Sequence, residues 1–277
     1  MARFAVGVEY DGRAYSGWQY QPNLQTVQDA LQRALSRVAD VPVACVCAGR
    51  TDAGVHALGQ VVHFDSDAVR SERGWRLGAN SYLPTDVSVA WLREVPEHFH
   101  ARYSATARSY RYVILNRDSR SALAAGRATW ERRPLDAARM HAAAQALLGE
   151  HDFSAFRAIE CQAKSPMRRI EELSVTRDAE WLWLDITANA FLHHMVRNIA
   201  GLLMSVGHGE SAPERVAAVL AGRDRKANAA TAPPDGLYLA AVRYPAEFVL
   251  PRGTATGGAA NPPQSAIIGR SHTQGIR

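Results

Sequence analysis

The chain has 277 residues, 47% of them hydrophobic and 21% charged, which suffices for one large domain or two of ordinary size. No apolar run reaches the ~18 residues that a membrane span requires. The first residues alternate like a strand and lack the pattern of a signal peptide, so a cytoplasmic protein is expected. Three cysteines without paired or metal-ligand spacing argue against a disulfide scaffold and a structural zinc site. The net charge of +5 favours a polyanionic partner.

The first hundred residues predict an α/β unit. Alternating apolar residues predict strands near 3–9, 41–47, 60–64 and 87–95. Apolar residues at helical spacing predict helices over 26–38 and 71–82. The resulting order β-α-β-β-α-β is that of a ferredoxin-like unit, which is also the architecture of RNA-recognition modules.

The remaining chain predicts a second unit of the same kind. Its expected strands lie near 110–115, 170–177, 181–187 and 237–244. Its expected helices lie near 135–148, 191–206 and 213–221. We therefore predict an α+β fold of two similar ferredoxin-like, RNA-recognition-like halves, residues 1–104 and 105–250, with antiparallel sheets that could join into one. Residues 251–277 are dominated by Gly, Pro, Ser, Thr and Ala and predict a disordered tail.

The most informative stretch is C-A-G-R-T-D-A-G-V-H-A-L-G-Q-V-V-H-F, residues 47–64. It places Arg50 and Asp52 in a glycine-rich loop between two predicted strands, where the glycines permit sharp turns and close approach of a substrate. A carboxylate kept ionised by a neighbouring guanidinium suits a nucleophile or a base. Taken alone, the pentapeptide R-T-D-A-G is equally consistent with a non-catalytic role, in which Asp52 stabilises a turn and Arg50 is a surface cation.

The whole stretch resembles the signature of the tRNA pseudouridine synthases of the TruA family. Four further stretches resemble that family in the same order: Y-D-G-R-A-Y-S-G-W-Q at 10–19, A-R-Y-S-A-T-A-R-S-Y-R-Y at 101–112, F-L-H-H-M-V-R-N-I at 191–199 and T-A-P-P-D-G-L-Y-L at 231–239. The resemblance covers roughly residues 3–245.

The resemblance implies an enzyme that converts uridine to pseudouridine at positions 38, 39 and 40 of the tRNA anticodon stem-loop. It also implies an active cleft between the two halves and a homodimer. Asp52 matches the catalytic carboxylate of the family, Arg197 the residue that orients it, and Tyr110 the aromatic that stacks on the base. The isomerisation conserves atoms and oxidation state, so neither a redox cofactor nor a metal is expected. Whether Asp52 attacks or stabilises the ribose, or removes a proton there, is left open.

Arg197 and two histidines lie in the apolar stretch predicted as a helix over 191–206. A charge there is costly unless it is paired, and Asp52 is a natural partner, although Arg197 could instead lie at the helix surface. Helical spacing predicts His193 one turn before Arg197 on the same face. Adjacent His193 and His194 would point to different faces, and no third ligand is evident, so packing or RNA contact is predicted for them in preference to a metal site.

Two stretches are candidates for tRNA contact. Between residues 99 and 120, five arginines alternate with aromatic residues, which suits a phosphate path with stacking points but also a solvated strand face. The candidate substrate contacts are Phe99, Arg102, Tyr103, Arg108 and Tyr110 here, and Cys161, Gln162 and Lys164 in the polar loop C-Q-A-K-S-P-M-R-R at 161–169, which resembles a tRNA-contacting loop of the family. Tyr112 shares a strand face with Tyr110 and is expected in the core.

Two other classes of function are weaker. A non-catalytic RNA-binding module would need the basic and aromatic surface but not Arg50, Asp52 and Arg197 together, and the K/R-G-F-x-F signature of RNA-recognition strands is missing from the sequence. A hydrolase using Asp52 would normally need a second carboxylate in a comparable loop, which the sequence does not offer.

Overall fold

A single sheet contains every strand in the computed structural model, which describes residues 1–251. Its ten strands are β1 (Ala2–Tyr10), β2 (Cys45–Cys47), β3 (His56–Ser66), β4 (Val87–Val95), β5 (Ala107–Asn116), β6 (Thr129–Glu131), β7 (Gly149–Asp152), β8 (Met167–Asp178), β9 (Trp181–Ala188) and β10 (Leu237–Arg243). The main order is β4-β1-β3-β10-β5-β9-β8-β7, with β2 paired to β3 and β6 paired to β5. The predicted α+β fold with one continuous sheet is confirmed.

The last strand joins the two predicted halves. β10 pairs in parallel with β3, placing Tyr238 opposite His56, and antiparallel with β5, placing Leu239 opposite Tyr110. Apart from the parallel β5–β6 pair, the other described ladders are antiparallel. The Asp52 loop, which precedes β3, therefore lies close to strands that carry second-half residues.

Five α-helices accompany the sheet in the described part of the chain: α1 (Val27–Ala39), α2 (Glu72–Tyr82), α3 (Ala137–Ala144), α4 (Met195–Gly207) and α5 (Arg215–Gly222). The hydroxyls of Thr26 and Ser71 cap α1 and α2 by accepting backbone N–H bonds from the first turn. Apolar residues of α1 and α4 enter one buried cluster that also contains side chains of β1, β3, β5 and β9. A shared core therefore holds the two halves together.

The elements differ from prediction at several boundaries. The strand expected over 41–47 is reduced to β2, and the helix expected over 135–148 ends at Ala144 and continues as a 3₁₀ turn over Gln145–Leu147. The helix expected over 191–206 begins only at Met195, because His194 has a left-handed backbone with φ of 61°. Residues 191–193 therefore belong to the connection between β9 and α4.

The division predicted near residue 104 falls in the connection between β4 and β5 and stays a prediction. The predicted tail lies outside the described residues, except for Pro251. Among the helices within residues 1–251, none is both long enough and apolar enough to cross a membrane.

Candidate active site

The loop that carries Asp52 is held by the segment 10–19. The backbone N–H of Trp18 donates to the Thr51 carbonyl at 3.0 Å, and the N–H of Gly54 donates to the Tyr15 carbonyl at 3.3 Å. Gly17 has φ of 91°, and a side chain there would come within 2.8 Å of the Thr51 carbonyl. The conformation of the Asp52 loop is therefore fixed by backbone bonds and by a contact that only glycine permits.

The Asp52 carboxylate faces three cationic or potentially cationic groups from the second half. Its Oδ1 lies 3.2 Å from His193 Nε2, and its Oδ2 lies 3.3 Å from His194 Nε2 and 3.6 Å from Arg197 Nη1. The Asp52 side chain remains 26% exposed, so a ligand can reach it. The structure thus brings together Asp52 and Arg197, as the cost of an unpaired charge in an apolar helix predicts.

Arg197 is oriented by a second contact. Its Nε donates to the Ala232 carbonyl at 2.8 Å, and the N–H of Ala232 donates back to the Arg197 carbonyl at 3.1 Å. Ala232 belongs to the T-A-P-P-D-G-L-Y-L stretch, so this motif fixes the guanidinium that faces Asp52. An arginine held at both Nε and Nη1 has little rotamer freedom left to lose when a ligand binds.

His193 and His194 do not lie where helical spacing predicts them. The expectation that His193 precedes Arg197 on one helix face is wrong, because α4 begins after both histidines. The argument against a metal site, that no third ligand is evident, is also wrong. Asp52 lies within 3.3 Å of each imidazole, and the centroids of the two rings are 4.1 Å apart. Burial lowers the pKa of His194, and the nearby His193 and Arg197 add to this, while Asp52 opposes it.

Arg50 does not contact Asp52. Its side chain is exposed, and among the described residues no carboxylate lies within 4.0 Å of it. The predicted arrangement of Arg50 as the guanidinium beside Asp52 is therefore not what the structure contains, since Arg197 occupies that place. Arg50 remains an exposed cation two residues from the carboxylate.

Tyr110 lies on β5 beside the Asp52 loop. It is 9% exposed, its ring packs edge-on against Phe191 at 4.9 Å, and its hydroxyl is 3.7 Å from where a side chain on Gly49 would begin. Burial raises the pKa of Tyr110, and the charge of Asp52 raises it further. Among the described residues its hydroxyl has no hydrogen-bond partner, whereas Tyr112 is fully buried and bonded to Thr129 at 2.5 Å. Tyr110 is therefore a protonated phenol whose hydroxyl is available to a ligand.

Two of the predicted tRNA contacts have structural roles. Phe99 is 0% exposed and packs against Tyr244 and Phe248, with ring centroids about 5 Å away, so it cannot stack on a base. The guanidinium of Arg108 donates to four backbone carbonyls, those of Ala48, Arg102, Ala105 and Asn189. Burial lowers the pKa of Arg108. The prediction of substrate contact is wrong for Phe99, which is buried in the core, whereas Arg108 is half-buried with its guanidinium bonded to backbone carbonyls and its contact with substrate stays a prediction.

The other predicted contacts lie at the surface. Arg102 and Tyr103 are exposed, and the Arg102 guanidinium lies 5.7 Å from the centre of the Tyr103 ring. Gln162 and Lys164 are exposed and Cys161 is half-buried. Their loop adjoins the histidines, since the N–H of Ala158 donates to the His193 carbonyl at 2.9 Å.

The continuous path predicted over 99–120 is interrupted. Arg111 forms a bidentate pair with Asp185 at 2.6 and 2.7 Å, and Arg117 pairs with Glu180 at 3.2 Å. Of the arginines in this stretch, Arg102 and Arg120 stay exposed and have no carboxylate within 4.0 Å among the described residues.

Comparison with known proteins identifies the family. The family model described as tRNA pseudouridine synthase matches residues 7–104 and 143–245. The chain belongs to this family. The resemblance indicated by the five motifs is therefore confirmed, and with it the expectation of an enzyme.

Close relatives support the same assignment along the chain. Proteins named tRNA pseudouridine synthase A from Methylococcus capsulatus and Legionella pneumophila are 58% and 56% identical, each over 90% of this chain, and over 92% and 95% of their own length. The protein of that name from Nitrosococcus oceani is 55% identical over 90% of this chain and 96% of its own. Among solved structures, a chain of a Cbf5–Nop10–Gar1 complex is 10% identical and matches 72% of this chain and 54% of its own, with a TM-score of 0.30, too distant for any argument.

The position of His193 and His194 beside Asp52 was not predicted from the sequence, which favoured packing or RNA contact for them. The family motif F-L-H-H-M-V-R-N-I contains both histidines and Arg197, so their shared motif was the available signal. Helical periodicity concealed it, because the apolar pattern of α4 continues through Phe191 and Leu192, which are outside the helix. The left-handed residue His194 turns the chain so that both rings reach one carboxylate.

Proposed function

We propose that the protein is an isomerase that converts uridine to pseudouridine at positions 38, 39 and 40 of the tRNA anticodon stem-loop. The observation that carries this proposal is the meeting of Asp52, from the loop before β3, with Arg197, from α4, in a chain of the tRNA pseudouridine synthase family. A partly exposed carboxylate held by a fixed guanidinium supplies what the reaction needs beside the ribose.

In the proposed reaction, Asp52 acts on the ribose, either as nucleophile or as base, while the bond from C1′ to N1 breaks. The freed uracil turns and C5 bonds to C1′, while the bond from Asp52 to C1′ breaks or, where Asp52 acts as base, the proton it removed returns to the ribose. The proton of C5 then leaves, and a proton is added at N1. Atoms and electrons balance without another reactant. In this proposal Tyr110 stacks on the freed base and donates its hydroxyl to it, which is supported by its unbonded hydroxyl and by the raised pKa that keeps the phenol protonated.

We propose that tRNA crosses the exposed residues on either side of this cleft. On one side, Arg50 lies two residues from Asp52, and the Arg108 guanidinium links the carbonyls of Ala48 and Arg102, which precedes Tyr103. On the other side, Gln162 and Lys164 are exposed in the loop that adjoins His193 and begins with the half-buried Cys161. Cations of this kind bind phosphates, and the aromatic ring offers a stacking surface. We further propose a cytoplasmic homodimer, which the family resemblance implies.

The test is to incubate the purified protein with unmodified tRNA transcripts and map pseudouridine by carbodiimide treatment. We expect reverse transcription to stop at the carbodiimide adducts of positions 38, 39 and 40. Each stop should disappear when the uridine at that position is replaced by cytidine. Pseudouridine formed only elsewhere would contradict the assigned positions, and its complete lack in a folded, tRNA-binding preparation would contradict the activity.

A further inference from the structure

The two histidines beside Asp52 form a cluster that the isomerisation does not require. The ligand atoms of Asp52, His193 and His194 all lie within 4.8 Å of one another, and among the described residues this is the only group of three such side chains. Its members come from two distant segments, and each is partly exposed, with 26% for Asp52, 39% for His193 and 28% for His194. Small side-chain rotations can therefore adjust the cluster to a ligand that enters from solvent.

The spacing of the cluster is close to that of a transition-metal site. Zn²⁺ binds imidazole nitrogens and carboxylate oxygens at about 2.0–2.2 Å, so neighbouring ligands in a tetrahedron are roughly 3.3–3.5 Å apart. His193 Nε2 lies 3.2 Å from Asp52 Oδ1 and His194 Nε2 lies 3.3 Å from Asp52 Oδ2, and the ligand atoms all lie within 4.8 Å of one another, so small side-chain rotations are needed to close the cluster around one ion. Two imidazoles and one carboxylate leave a fourth position for water, and imidazole selects Zn²⁺, Co²⁺ or Ni²⁺ over Mg²⁺.

We propose that Asp52, His193 and His194 bind a divalent transition metal, and that the bound metal inhibits the enzyme. The metal takes an oxygen of Asp52 and occupies the space before it, so the carboxylate cannot reach the ribose. Arg197 opposes binding through its positive charge, since its Nη1 lies 3.6 Å from Asp52 Oδ2. The bound metal therefore competes with tRNA for Asp52.

Binding can be measured without any assay of activity. Untagged protein freed of metal by EDTA is titrated with Co²⁺, whose visible absorption bands strengthen in a tetrahedral site. We expect one equivalent to give these bands in the native protein. His193→Gln and His194→Gln should each weaken Co²⁺ binding by at least about tenfold, as even the loss of an outer-shell partner costs about 10–100-fold in affinity.

The matched control is His98→Gln, which removes an exposed imidazole outside the cluster and should leave Co²⁺ binding unchanged. Circular dichroism melts show that each variant is folded. A native protein that gives no tetrahedral bands would overturn the proposal. Bands of equal strength and affinity in both cluster variants would overturn it as well.

The inhibitory part rests on the proposed role of Asp52, and a second assay separates the two. Zn²⁺ is added to the modification reaction, and each variant is compared with its own metal-free rate. We expect inhibition of the native protein and of His98→Gln, reversed by EDTA and weakened by excess tRNA, with resistance in both cluster variants. Co²⁺ binding that depends on the histidines, combined with full activity at saturating metal, would support the site and refute Asp52 as the catalytic carboxylate.

Discussion

The Asp52 loop and the stretch from residue 99 to 120 contain similar kinds of residues, but they use them differently. In the loop, backbone bonds from Trp18 and Gly54 fix the chain and leave the Asp52 side chain facing the cleft. In the stretch, the side chains themselves fix the chain: Phe99 fills the core and Arg108 bonds four carbonyls. A functional side chain is available only where other groups provide the local structure.

The strongest test of this comparison is to remove the charge from the loop. Asp52→Asn keeps the shape of the side chain but not its nucleophilicity, so turnover should fall by more than about 10³-fold with little change in tRNA affinity. Tritium release from tRNA labelled at C5 of uridine measures turnover, and filter binding measures affinity. The matched control is Asp185→Asn, because Asp185 of β9 is also paired with an arginine, Arg111 of β5. Arg111 lies on the opposite face of β5 from Tyr110, away from the proposed site. Equal rates in the two variants would remove Asp52 from the chemistry.

The second test exchanges the two arginines whose roles differ. Arg197→Met removes the partner of Asp52 and should lower kcat about 10²-fold, as misplacement of a reacting group does, while the free energy of unfolding falls by only about 1 kcal/mol. Arg108→Met should show the reverse, because several backbone carbonyls lose their hydrogen-bond donor. Its free energy of unfolding should fall by about 2–3 kcal/mol, while kcat changes less than in Arg197→Met.

Urea unfolding and tritium release at saturating tRNA give both quantities for each variant. The comparison fails if Arg108→Met is as inactive as Arg197→Met while remaining as stable as the native protein. In that case Arg108 would belong to the site despite its bonds to the backbone.

The third test concerns the exposed cations that remain after Arg108 and Arg111 are assigned to the fold. Arg102→Gln combined with Lys164→Gln should weaken tRNA binding and reduce the slope of log affinity against log salt by roughly 1–2, since each lost phosphate contact removes roughly 0.7–0.9. Arg111→Gln is the control, because its guanidinium is already paired with Asp185. A double variant with the native slope would place the phosphate path elsewhere.

The fold class and the Asp52–Arg197 pair could both be predicted from the sequence, but from different signals. Period-2 and helical patterns locate strands and helices, and a charge in an apolar helix requires a partner. The insertion of β10 between β3 and β5 is not encoded in local periodicity, since strand order depends on pairing between distant segments. The role of Arg108 was accessible in part, because strand alternation places it on the same face as the buried Tyr110.

The smallest expected effect concerns how the stretch 99–104 is anchored. The N–H of Ala101 donates to Nδ1 of His63 at 3.1 Å, and burial lowers the pKa of His63 to about 4, with His100 and Arg3 adding to the shift and Asp65 opposing it. The unfolded chain protonates this imidazole near its ordinary value of about 6.5, so below that pH the unfolded state binds more protons than the folded state.

Stability contributed by neutral His63 should therefore be complete above about pH 6.5 and decline as the pH falls toward 4. His63→Asn retains an acceptor for the Ala101 N–H but does not titrate, so its melting temperature should change less between pH 7 and pH 5 than that of the native protein. The dependence will not vanish, because burial also lowers the pKa of the adjacent His100. His98→Asn removes an exposed imidazole and should keep the native pH dependence. Identical pH dependence in His63→Asn and the native protein would show that another group, and not His63, anchors this stretch in the neutral form.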